Sequence, residues 1–252
     1  MSLLRKLFGG RGRTTTPDAA TLSRPAPDEA FYAIGDIHGC AGKLSALIDH
    51  VNSEAPEAPL VCVGDYVDRG EASAEVLRLL MDLPSTRPGP VICLAGNHEA
   101  MLLDALDDPD RSAARWLRHG GLQTLASFGV APGGSGEGDA MARRLRAAMG
   151  DEMLDWLRAR PAWWQSGNVA VVHAAADPWL PMAAQANSTL MWGHPEFRRM
   201  ARTDGVWVVH GHTITDQPLV ADGVISIDTG AYAGGPLTLA RIADDGVTFA
   251  GA

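Results

Sequence analysis

Three stretches of the chain end an apolar run in glycine and follow it at once with side chains that ligate metals or carry protons. They are Gly35-Asp36-Ile37-His38, Gly64-Asp65-Tyr66-Val67-Asp68-Arg69-Gly70 and Gly96-Asn97-His98-Glu99. Farther along, His173 follows the run VAVV, and His210 and His212 follow the run VWVV. Asp36 and His38 stand two positions apart, a spacing that puts both on one side of an extended strand end, where they can grasp one ion or one substrate. Asp, Asn and His supply oxygen and nitrogen donors without clustered cysteine. That set suits hard or borderline divalent ions such as Mn²⁺, Fe or Zn²⁺ and argues against a thiolate site. The ligands are too many for one catalytic ion with an open position. Two ions roughly 3.5 to 4 Å apart, sharing a bridging carboxylate, account for the number and form a template for in-line displacement at phosphorus.

For these tips to meet, the apolar runs must be neighbouring strands. In open α/β sheets, ligands bind outside the carboxyl ends of the strands, so tips set side by side build one site. "FYAIGD", "LVCVGD" and "VICLAG" read as the strands. Between them, "KLSALIDHV" places Leu44, Leu47, Ile48 and Val51 on one helical face at i, i+3, i+4 and i+7, and "AEVLRLLMDL" repeats the pattern. This β-α-β-α-β series with continuous apolar strands marks an α/β sheet covered on both faces. From Glu99 to Pro161 the pattern is helical, interrupted by "GVAPGGSGEGD", which reads as a surface loop. Strands resume in "NVAVVHAAA", "VWVVHGH", "GVISID", "PLTLARI" and "VTFA". One domain over residues 31–252 with a helical insertion is expected.

With 252 residues, 46% hydrophobic and 20% charged, the chain can bury a sizeable core. Its formal net charge of -9 repels polyanions over most of the surface, so no nucleic-acid partner is expected. The one basic patch lies in residues 1–30, where Leu3, Leu4, Leu7 and Phe8 stand among Arg5, Lys6, Arg11 and Arg13. This segment reads as a disordered leader; the competing reading is a weak amphipathic contact with a membrane surface or a partner. No run of about 18 apolar residues exists to span a bilayer. Cys40, Cys62 and Cys93 are odd in number and lie in or beside apolar strands, which fits reduced packing residues and a cytoplasmic location.

The ordered set GDIHG, GDYVDRG, GNHE, VVH and GHT resembles the signature of the PPP-type serine/threonine phosphoprotein phosphatases within the calcineurin-like metallophosphoesterases. The resemblance is nearest to the small bacterial and lambda-phage-type enzymes. It runs from Phe31 to about Arg241 and includes "WLRHGGLQTL" and "ISIDTGAYAGGPLTL". It implies two mixed β-sheets sandwiched between helices and a dinuclear centre, with Mn²⁺ the expected ion. Asp36 and His38 would hold the first ion, Asp65 would bridge both, and Asn97, His173 and His212 would complete the second. The two cations would lower the pKa of a bridging water, whose hydroxide attacks phosphorus directly. Arg69 would clamp the phosphoryl group with its planar fork, joined by Asn97. His98 would be the general acid for the leaving alkoxide, oriented by Asp68.

The chain also departs from that pattern. Related enzymes carry a W-x-R element whose arginine is a second phosphate clamp; here the aligned stretch is "LMWGHPEF", with His194 in that position. His119 likewise replaces an asparagine common before the Gly-Gly pair. His210 has two readings, a hydrogen-bonding partner of a ligand or substrate, or a strand-end histidine satisfied by backbone. Trp179 and Trp192 flank the late tips and either pack the rim or border a substrate groove. The leading expectation is a phosphomonoesterase acting on phosphoserine or phosphothreonine in proteins. A dinucleoside polyphosphate hydrolase is the alternative, ranked second because those hydrolases generally depart from the DRG and NHE forms. A metal-binding pseudo-phosphatase that regulates a partner is the third.

Overall fold

The computed structural model describes residues 23–134 and 136–252. Strands β1 (Phe31–Ile34), β2 (Leu60–Cys62) and β3 (Val91–Cys93) run parallel, linked by helices α1 (Ala41–Glu54) and α2 (Ser73–Thr86). Ile34, Cys62 and Cys93 lie abreast, so the three early tips leave the sheet at one level. The anticipated helical face of α1 is the buried one: Leu44, Leu47, Ile48 and Val51 all face the core.

The expected insertion is helical: α3 (Asn97–Asp107), α4 (Pro109–Trp116), a π-type turn (Leu117–Gly121), α5 (Leu122–Ser127), α6 (Gly138–Met149) and α7 (Asp151–Arg158). Its Met101, Leu102, Trp116, Leu125, Leu145 and Leu157 join the core formed by α1, α2 and the first sheet, so the insertion is packed into the same body. Each such side chain adds roughly 1.5–3 kcal/mol on burial.

A second sheet is built from β4 (Trp163–Ser166), β5 (Val169–Val172), β6 (Trp207–His210), β7 (Leu219–Ala221) and β8 (Val224–Ser226), with the short helix α8 (Asn187–Trp192) inserted before β6. β9 (Thr238–Ala243) and β10 (Gly246–Gly251) return to the first sheet. The orders are β10-β9-β1-β2-β3 and β4-β5-β6-β8-β7, both mixed in direction. Alternation along the strands sorts the side chains. Phe31, Ala33, Val61 and Val63 meet Val169, Val171, Val209 and Ile225 in a dry layer between the sheets. Ala170, Val172 and Val208 point to the outer face, under Leu190 and Met182. The α/β fold with two mixed sheets between helices is therefore the observed one.

Three features differ from the sequence reading. β4 and β7 were not anticipated, because Trp163-Trp164-Gln165-Ser166 and Leu219-Val220-Ala221 are edge strands, partly or largely exposed and without an apolar run of usual length. The disordered leader assigned to residues 1–30 is too long at its end. Ser23, Arg24, Ala26 and Asp28 are hydrogen-bonded to the β4–β5 turn, with Ala26 N–H donating to Asn168 Oδ1 at 2.6 Å and Asp28 N–H to Ser166 Oγ at 2.9 Å. The basic patch and its membrane or partner contact fall in residues 1–22, outside the described residues. Third, Gly35–Gly39 is a turn and not a strand end. Ile37 and His38 N–H both donate to Asp65 O and His38 has φ 43°, so the period-2 argument for Asp36 and His38 does not apply. The three cysteines are free thiols, and no helix among the described residues is long and apolar enough to cross a membrane.

Candidate active site

The tips of both sheets converge. Asp65 is the shared member of two clusters of potential ligand atoms, one with His38 and His98, the other with His173 and His212. His38 Nε2 lies 3.5 Å from Asp65 Oδ2, and His173 Nε2 lies 3.3 Å from Asp65 Oδ1. The chain sets up this arrangement by local hydrogen bonds. Glu99, at the start of α3, accepts N–H bonds from Gly96, Asp65, Tyr66 and Val67 and so clamps the second tip to the third. His98 N–H, in the first turn of α3, donates to Asp65 Oδ1 at 3.0 Å. The non-glycine residues with positive φ include His38, Asp65 (52°), Asp68 (71°), Arg69 (67°) and His212 (62°). Such backbone costs about 1–3 kcal/mol per residue and persists only where its surroundings enforce it.

The protonation pattern fits cations. His38 Nδ1 donates to Val67 O at 2.8 Å, which leaves Nε2 a lone pair; that atom is buried and without a hydrogen-bond partner. His173 Nδ1 likewise donates to Val63 O at 3.1 Å, turning its Nε2 lone pair on Asn97 Oδ1 at 2.9 Å and on Asp65. Burial holds both imidazoles neutral, His38 down at about 3 and His173 at about 4. Burial would raise Asp65, yet His173, His98 and His38 around it hold its carboxyl below the ordinary range. Asp36 accepts the His212 N–H with both oxygens, at 3.1 and 3.0 Å, and burial with the charges of Asp228 and Asp65 pushes it upward. Lone pairs facing carboxylate oxygens, and carboxylates crowding one another, are relieved by a positive ion between them. The donor set, all nitrogen and oxygen, fits divalent cations.

Beside these clusters sits a buried carboxylate–imidazole pair. His98 Nδ1 is 2.7 Å from Asp68 Oδ2, and its buried Nε2 has no partner and lies 3.9 Å from Asp65 Oδ2. Burial depresses the imidazolium, but the Asp68 hydrogen bond and the charges of Asp65 and Asp68 prevail and raise it. Asp68 is itself held by Trp116 Nε1 at 3.0 Å and Thr124 Oγ1 at 2.7 Å. Arg69 stands at the rim, its guanidinium 4.8 Å from the Tyr232 ring, which packs on His38 at 5.1 Å.

Two expected residues have partners of their own. His194 Nε2 faces Asp177 Oδ2 at 3.7 Å, its Nδ1 accepts the Glu196 N–H, and its ring packs on Trp179. His210 shares the outer face of β6 with Val208. Its nitrogens are taken by Gly211 O and Ser226 Oγ, both at 2.8 Å, which corrects the reading that it bonds a ligand or substrate. Sequence reasoning missed Asp228, the tip of β8, as well as Glu99, Trp116, Thr124 and Tyr232. Asp228 follows Val224-Ile225-Ser226-Ile227 as Asp36 follows β1, and this is the signal that could have found it.

A family model described as calcineurin-like phosphoesterase matches residues 30–216. The chain is 32% identical over 169 residues to the symmetrical bis(5'-nucleosyl)-tetraphosphatase of Pseudomonas fluorescens SBW25, covering 64% of this chain and 50% of that one. It thus spans about half the length of that relative. To the protein of the same description from Thioalkalivibrio sulfidiphilus HL-EbGR7 it is 28% identical over 267 residues, with 84% of this chain and 95% of the relative covered. A crystal structure of a provisionally assigned diadenosine tetraphosphatase superposes with a TM-score of 0.63 at 22% identity, over 90% of this chain and 95% of that chain, which speaks to the fold alone.

Proposed function

Since the chain belongs to the calcineurin-like phosphoesterase family, we propose that it is a dinuclear metal-dependent hydrolase whose preferred substrate is a dinucleoside polyphosphate, cleaved within the phosphate chain. The observation that carries the reaction class is the single carboxylate, Asp65, shared by two histidine clusters. Asp36, His38 and Asp65 would hold one ion, and Asp65, Asn97, His173 and His212 the other. When bound, two such cations neutralise phosphate oxygens and make water acidic enough to attack phosphorus near neutral pH. Mn²⁺ is the ion to try first, with Fe and Zn²⁺ also compatible with these donors.

The chain's own groups do the rest. Arg69 orients the scissile phosphoryl group by charge-assisted hydrogen bonds. His98, kept protonated by Asp68, delivers its Nε2 proton to the departing oxygen. Asp68 stays fixed because Trp116 and Thr124 bond it from the insertion. Support for dinucleoside polyphosphates over phosphoproteins comes from the curated relatives, which are tetraphosphatases.

Phosphoprotein hydrolysis stays as the second reading on one observation, the Asp68–His98 pair. A serine alkoxide leaves only with a proton, whereas a nucleoside diphosphate leaves readily without one. Purified protein with Mn²⁺, given diadenosine tetraphosphate, a phosphoserine peptide and p-nitrophenyl phosphate in parallel, separates the readings. Faster nucleotide release from the tetraphosphate than phosphate release from the peptide is expected, and the reverse order would install the second reading. Asp65→Asn should abolish turnover of all three; equal, negligible rates for both proteins would indicate a binding module.

A further inference from the structure

An open cleft of about 420 Å³ begins at Arg69 and is walled by Arg118, His119, Gly120, Gln123 and Tyr232. No carboxylate of the described residues lines it, although the protein carries a net charge of -9. A second arginine-bearing cleft, by contrast, sets Asp104, Asp107 and Asp108 against Arg111 and Arg115. Among the described residues, arginine ion pairs involve Arg146, Arg158, Arg202 and Arg241, so Arg69 and Arg118 both line the cleft without an ion pair to a carboxylate. Two unneutralised forks on one wall attract an anion with more than one phosphate.

The position of Arg118 is built. It lies on the π-type turn Leu117–Gly121, which kinks at Gly120 with φ 110°. There Gly120 O accepts the Arg69 N–H at 3.3 Å, and a Cβ on Gly120 would come within 2.5 Å of Arg69 N. Trp116 before the turn and Thr124 after it both bond Asp68. One element therefore fixes the acid pair and carries a second arginine beside the first. His194, expected to supply a second phosphate contact, is engaged with Asp177.

We propose that Arg118 is a binding residue for the phosphates next to the scissile one, forming with Arg69 a two-step shelf that reads the length of a phosphate chain. The assignment rests on the oligophosphate reading given above and names where that chain lies. Tyr232 forms its inner edge, holding Arg69 over its ring.

The test uses full-length protein with p-nitrophenyl phosphate as substrate and inorganic phosphate, pyrophosphate and tripolyphosphate as competitors, with Mn²⁺ in the same excess in every arm. Wild type should bind the competitors more tightly as they lengthen. Arg118→Gln, at an exposed position, should weaken tripolyphosphate about fivefold relative to phosphate and flatten the series, as loss of one charged hydrogen-bonding group implies. Arg118→Lys, which keeps the charge without the fork, should fall between. Calorimetric titration with the same anions reads the series without turnover. An unchanged ratio of tripolyphosphate to phosphate affinity in Arg118→Gln overturns the proposal, as does a wild type that shows no preference for length. If the series flattens but wild type does not cleave diadenosine tetraphosphate, the shelf stands and the dinucleotide reading fails.

Discussion

His98 and His210 are both buried, yet their partners assign them opposite duties. His98 has a carboxylate on Nδ1 and nothing on Nε2, the arrangement of an acid with its proton aimed at the site. His98→Asn should therefore lower turnover about a hundredfold or more on alkyl phosphates, and much less on p-nitrophenyl phosphate, whose leaving group needs no proton. Equal losses on the two esters would remove the acid role. His210 is held neutral instead, pushed down by burial to about 3 from an ordinary 6.5. Below pH 6.5 the unfolded chain binds a proton there that the native state does not, so this contribution to stability is complete above 6.5 and is lost as pH falls toward 3. His210→Gln lacks that loss. Between pH 7 and pH 5 the urea-derived stability gap should move in favour of the variant by about 2 kcal/mol. A gap that does not change with pH would show that His210 takes up its proton in the folded state. The family resemblance pointed to His98 as the acid, but the string VVHGH left the two readings of His210 open. Strand alternation sets His210 opposite Val209, but only the folded sheets show which face the ligands occupy.

At the scale of elements, the segment from α4 through the π-type turn to α5 joins the insertion to the site. Gly120→Ala forces a Cβ into a positive-φ position and against Arg69 N. It should cost about 1–3 kcal/mol of stability and lower kcat/KM for p-nitrophenyl phosphate by displacing Arg69. Leu122→Ala, two residues along at an exposed position, should do neither. Activity surviving intact in Gly120→Ala would mean that Arg69 does not depend on this contact. The early strand tips were legible in the sequence because each couples an apolar run to glycine and a polar ligand. Trp116 and Thr124 were not, since they lie off the strand tips and meet Asp68 across a long stretch of chain. The edge strands β4 and β7 escaped because they are partly exposed and lack a continuous buried apolar run.

At the scale of the molecule, each sheet supplies part of the site: Asp36, His38, Asp65 and Asn97 come from the first, His173, His212 and Asp228 from the second. Ions seated between them would tie two sheets otherwise joined by the apolar layer of Val61, Val171, Val209 and Ile225. Saturating Mn²⁺ should therefore raise the Tm, since ligand binding to the native state alone at about 100 times Kd stabilises by roughly 2.7 kcal/mol. Asp65→Asn should abolish the increment, while Arg69→Ala should keep it; a Tm indifferent to Mn²⁺ in wild type would speak against the paired site. The order of strands was readable to the extent that β-α-β-α-β compels a right-handed parallel set. The pairing of β9 with β1 was not, because register across more than 200 residues leaves no mark in either string. The strap Ser23–Asp28 is bound at the β4–β5 turn, where β5 begins, whereas His173 stands where β5 ends. Four extended residues, roughly 13 Å, separate the two ends of that strand. The chain therefore enters the fold at the end of β5 opposite the one that delivers His173 to the site, so whatever the described N-terminus at Ser23 meets, it meets on the side away from the ligands.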